Sequence, residues 1–143
     1  MTMESRKPAA TDWGRAQIYP LGDLPTSDIG QTYKQAAIRG DGVTVGIHWF
    51  EPGHPAWPST HNHPYDQLAF VMSGAMRFTL ADETFDVEAP AVVWIPKDMP
   101  HSADVIGDEP CLNIDVFGLV RSDFEHLFPA TGPHSGHTPA LVE

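Results

Sequence analysis

The chain has 143 residues, near the commonest size for one compact domain. Lys and Arg number 8 against 19 Asp and Glu, a formal net charge of −11, which argues against nucleic acid or an anionic membrane as the main partner. Cys111 is the only cysteine, so no internal disulfide forms, and no run approaches the roughly 18 apolar residues of a membrane span.

The opening stretch MTMESRKPAA has no apolar segment behind its basic residues, unlike a secretory signal, and the expectation is a cytoplasmic protein. Residues 1–30 carry Pro8, Gly14, Pro20, Gly22, Pro25 and Gly30 and read as an irregular N-terminal arm. TYKQAAIR (32–39) reads as the first strand and GDG (40–42) as a turn. VTVGIHWF (43–50) follows, with Val43, Val45, Ile47 and Trp49 on one face at period two. EPGHPAWPST (51–60) is too rich in Pro for a strand and reads as a loop. QLAFVMS (67–73) and AMRFTL (75–80) read as a hairpin about Gly74. ETFDVE (83–88), AVVWIP (91–96), SADVIG (102–107) and CLNIDVF (111–117) continue the series. Turn signals recur about every ten residues, the spacing of a sandwich or barrel, so the fold class is all-β. SDFEHLF (122–128), with Ser122 and Glu125 as a capping box, predicts one short C-terminal helix. Residues 31–128 then form the domain proper and 129–143 a flexible tail. Trp49, Phe70, Phe78 and Trp94 are expected in the core.

Between the loop and the third strand lies HNHPYDQ (61–67). Side chains alternate along an extended chain, so His61, His63, Tyr65 and Gln67 project to one side. Two histidines two apart do not make a site, because stable Zn, Ni, Fe or Mn centres use three or four protein ligands. His101 supplies the third. It follows AVVWI in PKDMPH (96–101), where Pro96 and Pro100 stiffen a turn back toward the first two. Asp66 is the rival to Gln67 as fourth ligand, but alternation places it on the opposite face.

These two segments resemble the motifs of the cupin superfamily. The first family motif has HxH, three or four residues, Glu, six residues and Gly; here it reads His61-Asn62-His63, three residues, Gln67, six residues, Gly74. The second has Gly, five residues, Pro-x-Gly, two residues and His; here it reads Pro90, five residues, Pro96-Lys97-Asp98, two residues, His101. Gln67 thus stands for Glu, Pro90 for the first Gly, and Asp98 for the turn Gly, where Asp tolerates a left-handed conformation well. The resemblance covers roughly residues 40–120. It implies a jelly-roll β-barrel, a divalent transition metal (Zn, Ni, Fe or Mn) on His61, His63, Gln67 and His101, and a homodimer. Three neutral imidazoles and an amide leave the ion's charge uncompensated. Such an ion is a stronger Lewis acid, held less tightly than with Glu, and suited to non-redox chemistry.

NIDVFGLVR (113–121) places Asp115 and Phe117 on the face of Cys111 and Asn113. A carboxylate among apolar neighbours is costly without a partner. Asp115 therefore reads either as a paired strand-end residue or as a general acid/base, with Arg121 as a planar clamp for a carboxylate. The pattern Asp115-x-Phe117-x3-Arg121 resembles the small cupins of the pectin degradation protein family, which linearise unsaturated uronates. That resemblance implies a metal-dependent enzyme opening or isomerising a small, carboxylated, sugar-acid-like substrate, with Asp115 and Arg121 catalytic and Phe117 at the substrate. Tyr65 and His48 are further substrate-side candidates. Two other readings stay open: an Fe- or Ni-dependent dioxygenase of a small diketone or aromatic compound, and a ligand-binding cupin without catalysis. His54, His134 and His137 lie in Pro- or Gly-rich segments and are expected to be solvated.

Overall fold

Short segments rich in β-branched and aromatic residues, separated by Gly, Pro and Asp turns, form nine strands in a computed structural model that describes residues 16–56 and 59–129. They are β1 (Ser27–Asp28), β2 (Tyr33–Arg39), β3 (Thr44–Phe50), β4 (Gln67–Ser73), β5 (Ala75–Leu80), β6 (Glu83–Glu88), β7 (Ala91–Ile95), β8 (His101–Ile106) and β9 (Cys111–Phe117). All pairs are antiparallel. One sheet has the order β1-β2-β3-β9-β4-β7 and the other β6-β5-β8. Residues 25–128 form a single unit. Of the expected arm, residues 16–24 contain only a 3-10 turn, Leu21–Asp23, while Ser27 and Asp28 pair with β2 as β1. The expected tail lies outside the described residues apart from Pro129.

The core is where the two sheets meet. Tyr33, Phe50, Ala69, Val71, Ile95 and Cys111 come from the larger sheet, and Met76 and Phe78 from the smaller. Burying a Phe or Ile side chain fully is worth about 1.5–3 kcal/mol, so this layer holds the sheets together. The all-β, two-sheet architecture agrees with the jelly-roll expectation.

Three local expectations differ. β4 and β5 are not a hairpin: β4 pairs with β7 and β9, β5 with β6 and β8, and the chain changes sheet at Gly74. Gly74 has φ +72°, and a Cβ there would stand 2.7 Å from the Pro110 carbonyl, so only glycine makes this crossing without strain. The helix near the C-terminus is of 3-10 type, Ser122–Leu127, with Arg121 as N-cap and no side-chain capping bond. The Ser122–Glu125 capping box does not form. The guanidinium of Arg121 at the N-cap is instead bonded to Asp123 in the first turn.

Burial along the strands supplies the third difference. On β3, His48 and Phe50 line the cavity, while Ile47 of the opposite row is also buried and Trp49, expected in the core, is half-buried. β3 lies inside a six-stranded sheet with apolar side chains on both faces, so its alternation does not reveal which face is inside. Trp94, expected in the core, is 61% exposed, while its neighbour Ile95 turns inward. Phe78 is buried as expected, and Trp49 and Phe70 are half-buried.

Candidate functional site

The histidine heptapeptide is a loop, not a strand; regular pairing begins at Gln67. Pro64 interrupts it, and the loop takes its shape from residues 98–101 instead. His61 and His101 exchange both backbone hydrogen bonds, the His61 N–H donating to the His101 carbonyl at 3.0 Å and the reverse at 2.8 Å. Asp98 N–H donates to the His63 carbonyl at 2.7 Å. Asp98 has φ +68°, the left-handed conformation foreseen where the motif has Gly. Asp66 completes the staple, its carboxylate accepting from the Lys97 N–H at 3.0 Å. It points away from the histidines.

This staple brings His61, His63 and His101 together. One ring nitrogen from each lies within 4.8 Å of the others, a spacing that suits one ion with bonds of about 2.0–2.1 Å once the rings turn toward it. His101 Nδ1 lies 2.8 Å from the Met99 carbonyl and His63 Nδ1 3.0 Å from that of Tyr65. A carbonyl only accepts, so both Nδ1 atoms carry the proton and both Nε2 atoms present lone pairs. Nε2 of His101 is buried and has no hydrogen-bond partner. Nε2 of His63 stands 3.1 Å from Gln67 Oε1. A cation satisfies both of those lone pairs; without one, turning the amide lets its NH2 donate. The orphaned Nε2 of His101 is the feature that best fits a metal, because a buried unpaired acceptor otherwise costs about 1–3 kcal/mol. Loss of hydration holds His61 and His101 below the usual histidine range, favouring the neutral form that metals require.

A cavity of about 190 Å³ opens beside the cluster. His48, His61, Gln67, His101, Asp115, Phe117 and Arg121 line it, so seven of the residues singled out in the sequence converge there. His63 backs the cluster, with its ring 4.9 Å from that of His101. Tyr65 does not line the cavity. Its ring stacks on His63 at 4.2 Å with 6° between planes, so it packs behind a ligand rather than facing a substrate. Arg121 lies 4.6 Å from the rings of both Phe117 and Phe124, and its Nε and Nη2 bond the two Asp123 oxygens. That ion pair holds the Asp123 carboxyl below its usual range.

Asp115 sits opposite Gly46 on β3 and Ala69 on β4, and it lines the cavity. Asn113 Nδ2 donates to its Oδ1 at 3.1 Å, and His48 Nε2 lies 3.4 Å from its Oδ2. Tyr33 Oη is 2.6 Å from His48 Nδ1. The sequence reading missed Tyr33, Asn113 and Phe124. Tyr33 and Asn113 reach the site through the registers Tyr33–Phe50 and His48–Asn113, which no local pattern announces. Phe124 reaches it through the 3-10 turn.

A two-sheet antiparallel barrel with three histidines converging at its mouth defines a class of proteins. Residues 47–117 match the Cupin domain family, and the chain belongs to the cupin superfamily. It is 35% identical over 66 residues to a protein of Streptomyces cyaneus named Polyketide synthase CurC; the match spans 46% of this chain and 42% of that one. Its fold is similar to that of KdgF from Halomonas sp., with TM-score 0.65, 20% identity, and coverage of 76% of this chain and 97% of that one. An RmlC-like cupin from Shewanella frigidimarina gives TM-score 0.64 at 20% identity, covering 77% and 97%.

Proposed function

We propose that the protein is a metal-dependent enzyme that moves a proton on a small oxygenated substrate without net oxidation: an isomerase, lyase or ring-opening or ring-closing enzyme. One observation carries this reading. The Asp115 carboxylate and the His61–His63–His101 cluster, with Gln67, line or border the same cavity. The metal they would hold supplies Lewis-acid stabilisation of the negative charge that develops on a substrate oxygen. Asp115 accepts the proton from the adjacent carbon and returns it to another atom of the product, so atoms and electrons balance. Phe117 and Phe124 form a wall against which a flat substrate rests, and their packing excludes water from the reacting carbon.

The wall chemistry narrows the substrate. Phe50, Met76, Phe78, Ile95, Phe117 and Phe124 are apolar, and Arg121 is already neutralised by Asp123. Asp123 already occupies the Nε/Nη2 edge of the guanidinium and cancels its charge, which weakens its pull on a substrate carboxylate. This favours an enolisable 1,3-dicarbonyl compound over a polyhydroxylated sugar acid, and the likeness to a protein named a polyketide synthase points the same way. No helix among the described residues is long and apolar enough to cross a membrane. We carry a homodimer as part of the proposal, checked by light-scattering mass.

The test is proton exchange in D2O under nitrogen, followed by NMR, with protein loaded in turn with Zn, Ni, Fe or Mn. The panel holds 1,3-diketones, keto acids and unsaturated uronates. Metal-dependent anaerobic exchange on the diketones is expected. Turnover only in air would overturn the reading in favour of a dioxygenase, and binding with neither exchange nor product in favour of a ligand carrier.

A further inference from the structure

The row of side chains behind Asp115 has no place in the metal cluster. Tyr33, His48 and Asp115 lie on β2, β3 and β9, and Tyr33 Oη, both His48 nitrogens and Asp115 Oδ2 run in one line of contacts, 2.6 Å and then 3.4 Å. We propose that Tyr33 and His48 are positioning residues that hold Asp115 as the proton acceptor: Tyr33 fixes the tautomer of His48, and His48 presents an N–H to the Asp115 carboxylate. This rests on the functional reading above, in which Asp115 moves the proton.

Asn113 fixes one end of the row, and the direction of the remaining contacts follows from the tautomer assigned to His48. Asn113 Nδ2 donates both to the Phe70 carbonyl and to Asp115 Oδ1, each at 3.1 Å, so its amide orientation is determined and Asp115 Oδ1 is an acceptor. For Oδ2 to accept as well, His48 must carry its hydrogen on Nε2. The neutral ring then has a lone pair on Nδ1, and the Tyr33 hydroxyl donates to it. Burial, and next the charge of Asp115, hold the Tyr33 phenol protonated well above its usual range. At 3.4 Å His48 Nε2 stands at ion-pair distance from Asp115 Oδ2 without a formed hydrogen bond, so in this proposal a small turn of the ring brings its N–H onto the carboxylate and leaves Oδ2 free to take a proton. No proton leaves Tyr33 or His48 during the step.

The surroundings are shaped for this arrangement. The Tyr33 ring stacks on Phe50 at 4.7 Å with 8° between planes, which fixes where its hydroxyl points. Gly46 lies beside His48, and a Cβ there would come within 3.0 Å of His48 Nε2 and 2.9 Å of Phe124. The missing side chain at 46 is the space the imidazole occupies. A His48 with a merely structural role would not need its Nε2 kept clear.

Long-range proton–nitrogen NMR on histidine-labelled protein reads the tautomer without any substrate. His48, assigned by its loss in His48→Gln, is expected as the Nε2–H form. In Tyr33→Phe, which keeps the ring stack, it is expected as a mixture. An Nδ1–H form in the unaltered protein would overturn the proposal. On whichever substrate shows exchange, Tyr33→Phe should lower kcat about tenfold with KM and metal content unchanged. His48→Gln, whose amide can place an N–H where Nε2 stood, should retain several-fold more activity than His48→Leu. Equal losses in the two would also overturn it. No exchange in the unaltered protein, with the Nε2–H form present, would refute the functional reading and leave the positioning of Asp115 standing.

Discussion

One cavity holds two kinds of histidine. His63 and His101 each tie Nδ1 to a backbone carbonyl two residues away, His63 in the loop before β4 and His101 at the start of β8, and main-chain bonds staple the two segments together. Their Nε2 atoms are left as lone pairs, that of His101 unpartnered and that of His63 beside Gln67 Oε1. His48 comes from the middle of a strand, and both of its nitrogens meet side chains, Tyr33 and Asp115. Backbone anchoring yields a rigid acceptor suited to a metal. Side-chain anchoring on both nitrogens yields a ring whose tautomer is set by its partners, suited to managing a proton. The contrast predicts that metal binding and proton transfer separate by mutation.

The largest effect should come from His101→Ala. It removes the orphaned Nε2 and one of three imidazoles, and elemental analysis should find metal affinity reduced by more than the roughly 10–100-fold typical of losing an outer-sphere partner. Retention of full metal content would break the comparison at its first half. Asp115→Asn should do the opposite. It should lower turnover roughly 100- to 10,000-fold, the usual contribution of a general base, while metal content stays unchanged. If Asp115→Asn also strips the metal, the carboxylate belongs to the cluster and the two histidine classes are not separate.

A third variant probes the seam between them. Gly46→Ala puts a methyl within 3.0 Å of His48 Nε2 and 2.9 Å of Phe124, and overpacking of this kind costs about 1–3 kcal/mol. Thermal unfolding should shift down by about 4 °C for each kcal/mol in a chain of this size. The tautomer signal of His48 should change, and metal binding should not.

The histidine cluster was legible in the sequence because its information is local. HNHPYDQ and PKDMPH each carry their histidines within seven residues, and face alternation favours Gln67 over Asp66 as the expected fourth ligand. The strands were legible too, since Gly and Pro punctuate them, and β4, β5, β6 and β9 begin and end where the pattern places them. Asp115 and His48 were singled out as well, but their contacts with each other and with Tyr33 were not legible. Tyr33 meets His48 only through the register of β2 against β3, and His48 meets Asp115 only through that of β3 against β9. Register is a property of pairs of strands, and β3, apolar on both faces, does not declare which side is inside. Ile47 is buried on one face and His48 and Phe50 on the other, so alternation along β3 carries no sign of which row meets the cavity. The exposure of Trp94 has the same root, because an edge strand of alternating large apolar residues does not show which row is covered.

The smallest effect tests whether the two chemistries are confined to one end of β9. Its inward row runs Cys111, Asn113, Asp115 and Phe117, from the core to the cavity. Cys111 is 2% exposed, and burial pushes its thiol up to about 11. The thiolate, the reactive and metal-binding form, is therefore nearly absent at neutral pH. Because the folded value lies above that of a free thiol, the group favours the folded state fully below the unfolded value. That contribution fades as pH rises toward 11. A thiol reagent at pH 8 should label the native chain far more slowly than the unfolded one, with metal content untouched by the reaction. Fast labelling, or loss of metal on labelling, would place a soft ligand within reach of the cluster and make the divide between a dry, protonated end and a metal-binding mouth untenable.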